Sequence, residues 1–290
     1  MVGYRTFAVA GAGNVGKFII EELVKLREVG TVASVDVLTR SPDDPKLKEL
    51  GVTGLKVDYN DPPTLEAALK GKEVVISTLG RSAFHLQELL GQAAKKAGVK
   101  LFIPSEFGNP TEGREDSWFA QKNAARQQLK DMGMPYMLVY NGPFPDFVFN
   151  AHMGWDLPNG KVQISGKGDT PISFTQRRDI GRFVAHVLTS LSPEELEWRT
   201  FRIEGDRTTM NKVAAEYEQR SGKKLEVSHR SVEEVQEAVR QNPNDVPETL
   251  RLDWEMGGGI VGTPEQLANK VYPDWNPTRA VDVLLKRDGY

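Results

Sequence analysis

The chain has 290 residues, more than the roughly 150 of an average domain, and this length predicts a core domain with a smaller appended lobe. Hydrophobic residues make up 39% and charged residues 27% of the chain, and the formal net charge of −3, without a basic cluster, argues against a nucleic-acid partner. The chain has no cysteine and four widely spaced histidines, which excludes disulfides and thiol nucleophiles and predicts no metal site.

The N-terminal segment enters a predicted strand near Tyr4, which leaves no room for the charged and apolar regions of a signal peptide. No apolar run reaches the ~18 residues that a membrane span needs. We therefore expect a cytoplasmic protein that does not enter the membrane.

The first half of the chain alternates short β-rich apolar runs with helical stretches, a rhythm typical of a parallel sheet covered on both faces. The predicted strands span 5–10, 34–40, 54–57, 73–79, 99–103 and 135–140. The predicted helices between them span 14–29, 63–70, 84–97 and 118–132. Right-handed crossovers between sequential parallel strands give a doubly wound α/β sheet of the Rossmann type.

A glycine-rich turn follows the first strand directly and opens the first helix. A lone G-x-G-x-x-G pattern is weak evidence, but between a strand and a helix it predicts a dinucleotide pyrophosphate at the helix N-terminus. Gly11 is expected to make the tight turn, Gly13 to let the backbone approach the pyrophosphate, and Gly16 to pack the helix closely on the sheet. The cofactor-binding residues predicted from this turn are Gly11, Gly13, Asn14, Val15 and Gly16.

The end of the second strand distinguishes NAD from NADP, because NAD needs an acid for the ribose hydroxyls and NADP needs a cation for the 2′-phosphate. Asp36 lies about twenty residues after the last glycine, the spacing of an NAD site. The predicted strand continues through Thr39, however, so that Asp36 would lie roughly 13 Å short of its end. Arg40 occupies the end itself, and Lys46 or Lys48 could reach the same phosphate. The sequence therefore favours NADP, with NAD as the alternative.

Thr78, Leu79 and Gly80 end the fourth predicted strand, where backbone beside the switch point of the sheet can line the cofactor cleft. An ordinary strand-to-helix turn is the alternative interpretation. After Tyr140 the chain becomes aromatic and rich in turn residues, which suits a loop that covers a ligand. The predicted walls of a substrate site are Phe107, Phe144, Phe147, Met153 and Trp155, with plain core packing as the alternative for each.

The last part of the chain, from Thr208 on, is predicted to be largely helical, with capping boxes at Ser231 and Thr263 and a break over 242–247. A further helix is expected from Asp179 to about residue 190. The predicted dinucleotide-binding domain comprises 1–145 and about 172–206. The predicted substrate lobe comprises 146–171 and 207–290.

Lys122 lies four residues after Trp118 on the helix that follows the fifth strand. A tyrosine four residues before a lysine would be the acid/base pair of a short-chain dehydrogenase, but tryptophan has no acidic hydroxyl, so only the lysine remains. A lysine beside a nicotinamide can orient the ribose hydroxyls or, with its pKa lowered by burial, exchange protons with a substrate. From spacing alone, the more ordinary interpretation of Lys122 is an exposed lysine on a helix surface.

The run Pro104-Ser105-Glu106-Phe107-Gly108 followed by Lys122 resembles the atypical short-chain dehydrogenases that include the NmrA-like proteins and the isoflavone, pinoresinol-lariciresinol and phenylcoumaran benzylic ether reductases. The resemblance covers roughly residues 4–230. It implies NADPH as hydride donor, with Arg40 on the 2′-phosphate and with Asn141 and Phe144 also at the cofactor. It further implies that Lys122 is a catalytic general base or acid and that a small aromatic metabolite binds between the Rossmann core and the C-terminal lobe.

The leading hypothesis is an NADPH-dependent reductase of an aromatic or conjugated secondary metabolite, acting as a monomer or homodimer. A redox-sensing regulator that binds NAD(P) without turnover is a second possibility, although such a protein needs no proton-transfer residue such as Lys122. A third possibility keeps the cofactor site and catalyses a non-redox isomerisation or elimination.

Overall fold

The computed structural model describes residues 3–115 and 117–287, with the backbone alone for Ser117 and Trp118. Side chains that alternate between the two faces build the central strand of its sheet. Phe7 and Val9 point into the core on one face of the sheet, and Ala8 and Ala10 point into the core on the other. This strand is therefore covered on both faces, as a parallel sheet requires. Within the described ranges, no helix is both long and apolar enough to cross a membrane.

The predicted doubly wound sheet is confirmed, with parallel strands in the order β3-β2-β1-β4-β5. Its strands are β1 (Thr6–Ala10), β2 (Ser34–Thr39), β3 (Thr53–Lys56), β4 (Val74–Ser77) and β5 (Leu101–Ile103). β6 (Met137–Tyr140) pairs in parallel with a later strand, β10 (Arg199–Arg202), and a bridge between Phe102 and Tyr136 joins this pair to β5. The strand order reverses between β1 and β4, so a ligand cleft is expected beyond the carboxyl ends of these two strands.

Helices cover both faces of the sheet. The described helices are α1 (Gly16–Glu28), α2 (Pro45–Glu49), α3 (Pro62–Leu69), α4 (Gln87–Lys96), α5 (Ser117–Asp131), α6 (Pro145–Val148), α7 (Arg177–Ser190), α8 (Pro193–Leu196), α9 (Met210–Ser221), α10 (Val232–Gln241), α11 (Val246–Glu255) and α12 (Ala280–Arg287). α1 and α7 pack together on one face, and α3, α4 and α5 cover the other. The predicted helix over 84–97 begins instead as a 3₁₀ helix, Arg81–Leu86, and becomes α-helical at Gln87.

A second hydrophobic core lies in the C-terminal part of the chain, around a three-stranded sheet. This sheet consists of β7 (Trp155–Asp156), β8 (Lys161–Ser165) and β12 (Glu226–Arg230), and β9 (Ile172–Phe174) pairs separately with β11 (Asp206–Thr208). The expectation of a largely helical region after residue 208 is confirmed by α9 to α12, with one exception, the unpredicted strand β12. Its side chains are mostly exposed, so the strand lacks the apolar alternation that sequence reasoning detects.

The predicted capping boxes at Ser231 and Thr263 are both present, the first on α10 and the second on a single 3₁₀ turn, Pro264–Gln266. The predicted break over 242–247 is too long, because α11 begins at Val246 with Asp245 as its cap. The division into a domain of 1–145 with 172–206 and a lobe of 146–171 with 207–290 stays a prediction. Ile172 and Phe174 of β9, which this division assigns to the domain, pack in the second core.

Candidate active site

The glycine turn after β1 has the geometry that a dinucleotide requires. Gly11 has a positive φ of 100°, which favours glycine. A Cβ on Gly16 would lie 2.1 Å from the carbonyl oxygen of Gly11, so α1 can approach the turn only with glycine at its first position. A Cβ on Gly13 would meet nothing within 4 Å, which leaves open space on the side where a pyrophosphate would approach. The turn therefore fits a dinucleotide.

Thr78 fastens this turn from the neighbouring strand. Its Oγ1 donates to the carbonyl oxygen of Gly11 at 2.7 Å, and its backbone N–H donates to the carbonyl oxygen of Ala10 at 2.9 Å. The carbonyl oxygen of Leu79 accepts a hydrogen bond of 2.8 Å from the hydroxyl of Ser105. The segment 78–80 thus connects the ends of β1, β4 and β5, and its contact with the cofactor stays a prediction.

A polar cavity of about 620 Å³ opens beside the turn, at the N-terminus of α1. Its lining includes Gly13, Asn14, Lys17, Lys46 and Arg177. Three of these side chains are cations, and the lining also holds the carboxylates of Glu21 and Glu49, so a small positive excess remains to suit a phosphate-bearing ligand. Of the two lysines weighed from the sequence, Lys46 lines this cavity and Lys48 does not. Val15, also predicted at the cofactor, is a buried residue that precedes α1.

Arg40 lies immediately after the end of β2 and is exposed, as an arginine that meets a 2′-phosphate must be. Asp36 lies in the first half of β2, and its carboxylate forms an ion pair with Lys72. This ion pair holds Asp36 away from the carboxyl end of the strand. The geometry thus supports the preference for NADP over NAD.

Lys122 is buried, with 9% of its surface exposed, which corrects the ordinary interpretation of an exposed helix lysine. Its Nζ donates to the backbone carbonyl oxygen of Glu106 at 2.6 Å and lies 5.3 Å from the ring centre of Phe84. Burial lowers the pKa of Lys122, and the carboxylate of Glu106 partly offsets this effect. A lysine whose pKa is lowered gives up its proton more readily than an exposed lysine, as a general base or acid requires. The side chain of Trp118 lies outside the described residues.

Glu106 belongs to a buried polar network beneath Lys122. Burial raises the pKa of Glu106, and the nearby charges of Lys122 and Arg126 oppose this effect. Arg126 lies 3.5 Å from a Glu106 carboxylate oxygen, and its Nη1 donates to the hydroxyls of Thr111 and Tyr140, each at 3.0 Å. The hydroxyl of Thr111 in turn donates to Glu106 at 3.1 Å. These contacts hold the loop after β5 rigidly under the lysine.

Lys122 opens into a mostly apolar cavity of about 490 Å³ between the sheet edge and the C-terminal lobe. Four of the five predicted wall residues line it: Phe107, Phe144, Phe147 and Met153 do, together with Lys122. A cavity of this size and lining suits a small aromatic molecule, with few polar groups to orient it.

Trp155, the fifth predicted wall residue, does not line this cavity. It is 3% exposed and packs edge-on against Phe149 in the second core. α11 supplies the opposite wall instead, through side chains that sequence reasoning did not select, because nothing in their local pattern marks them. These residues are Val246, Leu250 and Trp254.

Asn141 is fully buried directly before Gly142, a residue of the cavity wall. Its Nδ2 donates to the carbonyl oxygen of Gly142 at 2.7 Å, and its Oδ1 has no hydrogen-bond partner among the described residues. Buried polar atoms are rarely unpaired. An oxygen in this state suits a donor on a ligand, and Asn141 keeps its predicted place at the cofactor as a proposal.

Arg177 joins the glycine turn to the segment after β6, a contact that the sequence did not predict. Its guanidinium donates to the side chain of Asn14 in the glycine turn at 3.3 Å and to the carboxylate of Asp146, in the aromatic segment that follows Tyr140, at 2.8 Å. Asp146 lies 31 residues before Arg177 in the chain, so no local pattern could reveal this pairing.

The NmrA-like family model matches residues 5–265 of this chain. Isoflavone reductase homolog P3 of Arabidopsis thaliana is 30% identical over 268 residues, which cover 86% of this chain and 85% of the relative. Phenylcoumaran benzylic ether reductase TP7 of Nicotiana tabacum is 31% identical over 304 residues, with 97% of each chain covered.

Solved structures of similar proteins superpose over nearly the whole chain. Leucoanthocyanidin reductase of Vitis vinifera in binary complex with NADPH has a TM-score of 0.83 at 20% identity, covering 97% of this chain and 98% of that one. A crystal structure of isoflavone reductase has a TM-score of 0.83 at 25% identity, covering 98% and 99%. AtPrR2 with NADP⁺ and (+)-pinoresinol has a TM-score of 0.81 at 22% identity, covering 97% and 99%.

Proposed function

This chain belongs to the NmrA-like family, and from that premise we propose that it is an NADPH-dependent reductase of a small aromatic or conjugated metabolite. The observation that carries the proposal is the buried Lys122 at the base of an apolar cavity, on the same edge of the fold as the glycine turn. A protein that only senses the redox state of a dinucleotide has no use for a buried lysine that faces such a cavity.

NADPH is the cofactor predicted from Arg40, and it is the cofactor named with the similar leucoanthocyanidin reductase structure. When bound, NADPH supplies a hydride from C4 of its nicotinamide ring. The backbone around Gly13 and the N-terminus of α1 would hold its pyrophosphate, and Arg40 its 2′-phosphate. The relatives that the chain resembles are named for reductions of phenolic plant metabolites, which supports an aromatic substrate.

Lys122 moves the proton that balances the reduction. With its pKa lowered by burial, Lys122 can take a proton from a substrate phenol, or give one to the oxygen that becomes a hydroxyl. Its hydrogen bond to the backbone carbonyl of Glu106 fixes Nζ in place. Phe107, Phe144 and Phe147 line the cavity and offer flat faces to an aromatic ring.

A single-turnover assay tests this proposal. Wild-type protein is mixed with saturating NADPH and a panel of phenolic ethers and enones, and the loss of nicotinamide absorbance is followed. Lys122→Met is compared with Lys130→Met, which removes an exposed lysine from the same helix. We expect Lys122→Met to slow turnover by about 10²-fold or more and Lys130→Met to leave it unchanged.

Equal rates for wild type and Lys122→Met would contradict the role of Lys122. Similar affinities for the oxidised and reduced cofactor, with no turnover of any panel member, would instead indicate the redox-sensing regulator.

A further inference from the structure

Arg177 lies where the two cavities of the site approach each other. Its side chain lines the polar cavity beside the glycine turn, and its guanidinium lies 5.4 Å from the ring centre of Phe147, a wall residue of the apolar cavity. We compared the described side chains that line the polar cavity by their hydrogen bonds and ring contacts. Among them, Arg177 alone also contacts a wall residue of the apolar cavity. Arg177 is thus the physical connection between the two cavities.

The connection is held by the backbone as well as by the side chains. Asp146 accepts from Arg177 Nε at 2.8 Å and from the backbone N–H of Arg177 at 3.2 Å, at the first turn of α7. Both side chains are mostly buried, with 18% and 15% exposed. A carboxylate at a helix N-terminus is favoured by the helix dipole, so this pair fixes the short helix α6 against α7.

On the side of the glycine turn, the guanidinium of Arg177 uses little of its hydrogen-bonding capacity. Arginine has five N–H donors, and the hydrogen bonds seen here place Nε and Nη2 on Asp146 and only one long bond, of 3.3 Å, from Nη1 to Asn14. A phosphate oxygen is a better acceptor than the amide oxygen of asparagine, and arginine binds it in a planar, charge-assisted geometry.

We propose that Arg177 is a positioning residue that binds the dinucleotide pyrophosphate and, through Asp146 and Phe147, orders the wall of the substrate cavity when the cofactor is present. The proposal rests on the dinucleotide site of the proposed function, but not on the reductase chemistry. If Arg177 acts in this way, the cofactor binds first, and the wall of the substrate cavity becomes ordered afterwards.

The first test measures the affinity for NADP⁺ by calorimetry. Arg177→Met is compared with Arg178→Met, which removes the same charge one residue further along α7 from a side chain that is half exposed and reaches Glu21. We expect Arg177→Met to weaken NADP⁺ binding about 10- to 100-fold, the effect of losing one charge-assisted hydrogen bond, and Arg178→Met to weaken it less than about threefold. Equal affinities of the two variants would overturn the cofactor contact.

The second test follows hydrogen exchange at the backbone amides of Phe147, Val148 and Asn150, which are bonded within the loop. In wild type, we expect saturating NADP⁺ to slow this exchange. Asp146→Asn removes the charge that pairs with Arg177. At saturating NADP⁺, which offsets any loss of affinity, we therefore expect a smaller slowing of exchange in the loop than in wild type.

A slowing by NADP⁺ in Asp146→Asn that equals the slowing in wild type would overturn the coupling between the two cavities. A wild-type protein that binds neither NADP⁺ nor NAD⁺ would contradict the dinucleotide site itself, and with it both the proposed function and this inference. Retained NADP⁺ binding without reductase turnover would contradict the proposed function alone.

Discussion

At the scale of single residues, the chemistry of Lys122 depends on the charge beneath it. Burial lowers the pKa of this lysine, whereas the carboxylate of Glu106 raises it again. Arg126 lies 3.5 Å from that carboxylate, and its charge favours the ionised form of Glu106. The protonation of Lys122 is therefore adjusted by a neighbour that does not line the substrate cavity.

Replacing Glu106 with Gln should shift the pH profile of turnover to lower pH. The change removes the negative charge that raises the pKa of Lys122, so the lysine loses its proton at a lower pH. The inflection moves in the same direction whether the neutral or the charged lysine is the active form. Single-turnover rates across a pH series measure it, and an inflection at the wild-type pH would show that Glu106 does not act on Lys122.

Arg40, directly after β2, is the residue that we propose to select NADPH over NADH. Arg40→Ala should weaken NADPH binding about 10- to 100-fold through the loss of a charge-assisted contact, and should leave NADH binding unchanged because NADH has no 2′-phosphate. Lys70→Ala removes an exposed cation that follows α3 and serves as the control. Calorimetric titration with both cofactors checks this, and an equal loss for NADPH and NADH would contradict the assignment.

At the scale of elements, the glycine turn could be predicted from the sequence because its function is local. Strand, turn and helix follow one another within the first thirty residues, and the structure shows the positive φ of Gly11 and the close approach at Gly16 directly. The burial of Lys122 could not be predicted in this way, since its partner is a backbone carbonyl 16 residues earlier. α11 lies more than 100 residues after Lys122 in the sequence, and its residues line the cavity only because the tertiary fold brings them there.

Two alanine substitutions within the turn should separate folding from cofactor binding. Gly16→Ala places a Cβ 2.1 Å from a backbone oxygen and should destabilise the fold by about 3 kcal/mol or more. Gly13→Ala meets open space and should change the free energy of unfolding by less than about 1 kcal/mol.

The same Gly13→Ala variant should nevertheless bind NADPH at least about tenfold more weakly, because the new methyl group occupies the approach of the pyrophosphate. Denaturant unfolding and calorimetry measure the two properties independently. A Gly13→Ala protein with wild-type NADPH affinity would place the pyrophosphate elsewhere.

At the scale of the whole molecule, an ion pair between distant parts of the chain holds one wall of the apolar cavity. Asp253 on α11 accepts from Arg114 and from Asn109, each at 2.7 Å, across 139 and 144 residues. These contacts hold α11 over the loop that follows β5. The sequence could indicate a separate lobe from its length, but not which helix of that lobe closes the cavity.

Asp253→Ala should therefore raise the KM for an aromatic substrate about five- to tenfold while NADPH affinity stays as in wild type, because α11 contributes to one cavity and not to the other. Steady-state kinetics with varied substrate and varied NADPH distinguish the two effects. Glu237→Gln breaks an exposed ion pair on α10 and serves as the control. A parallel loss of NADPH affinity would indicate general unfolding.

Transfer of deuterium from NADPH that carries deuterium at both C4 positions of the nicotinamide tests the central claim most directly. If the glycine turn and Lys122 serve one reduction, mass spectrometry of the product should find a single deuterium on the reduced carbon, formed at a rate that Lys122→Met lowers by about 10²-fold or more. A product without deuterium would mean that the bound dinucleotide supports a non-redox reaction, and would contradict the assignment of this protein as a reductase.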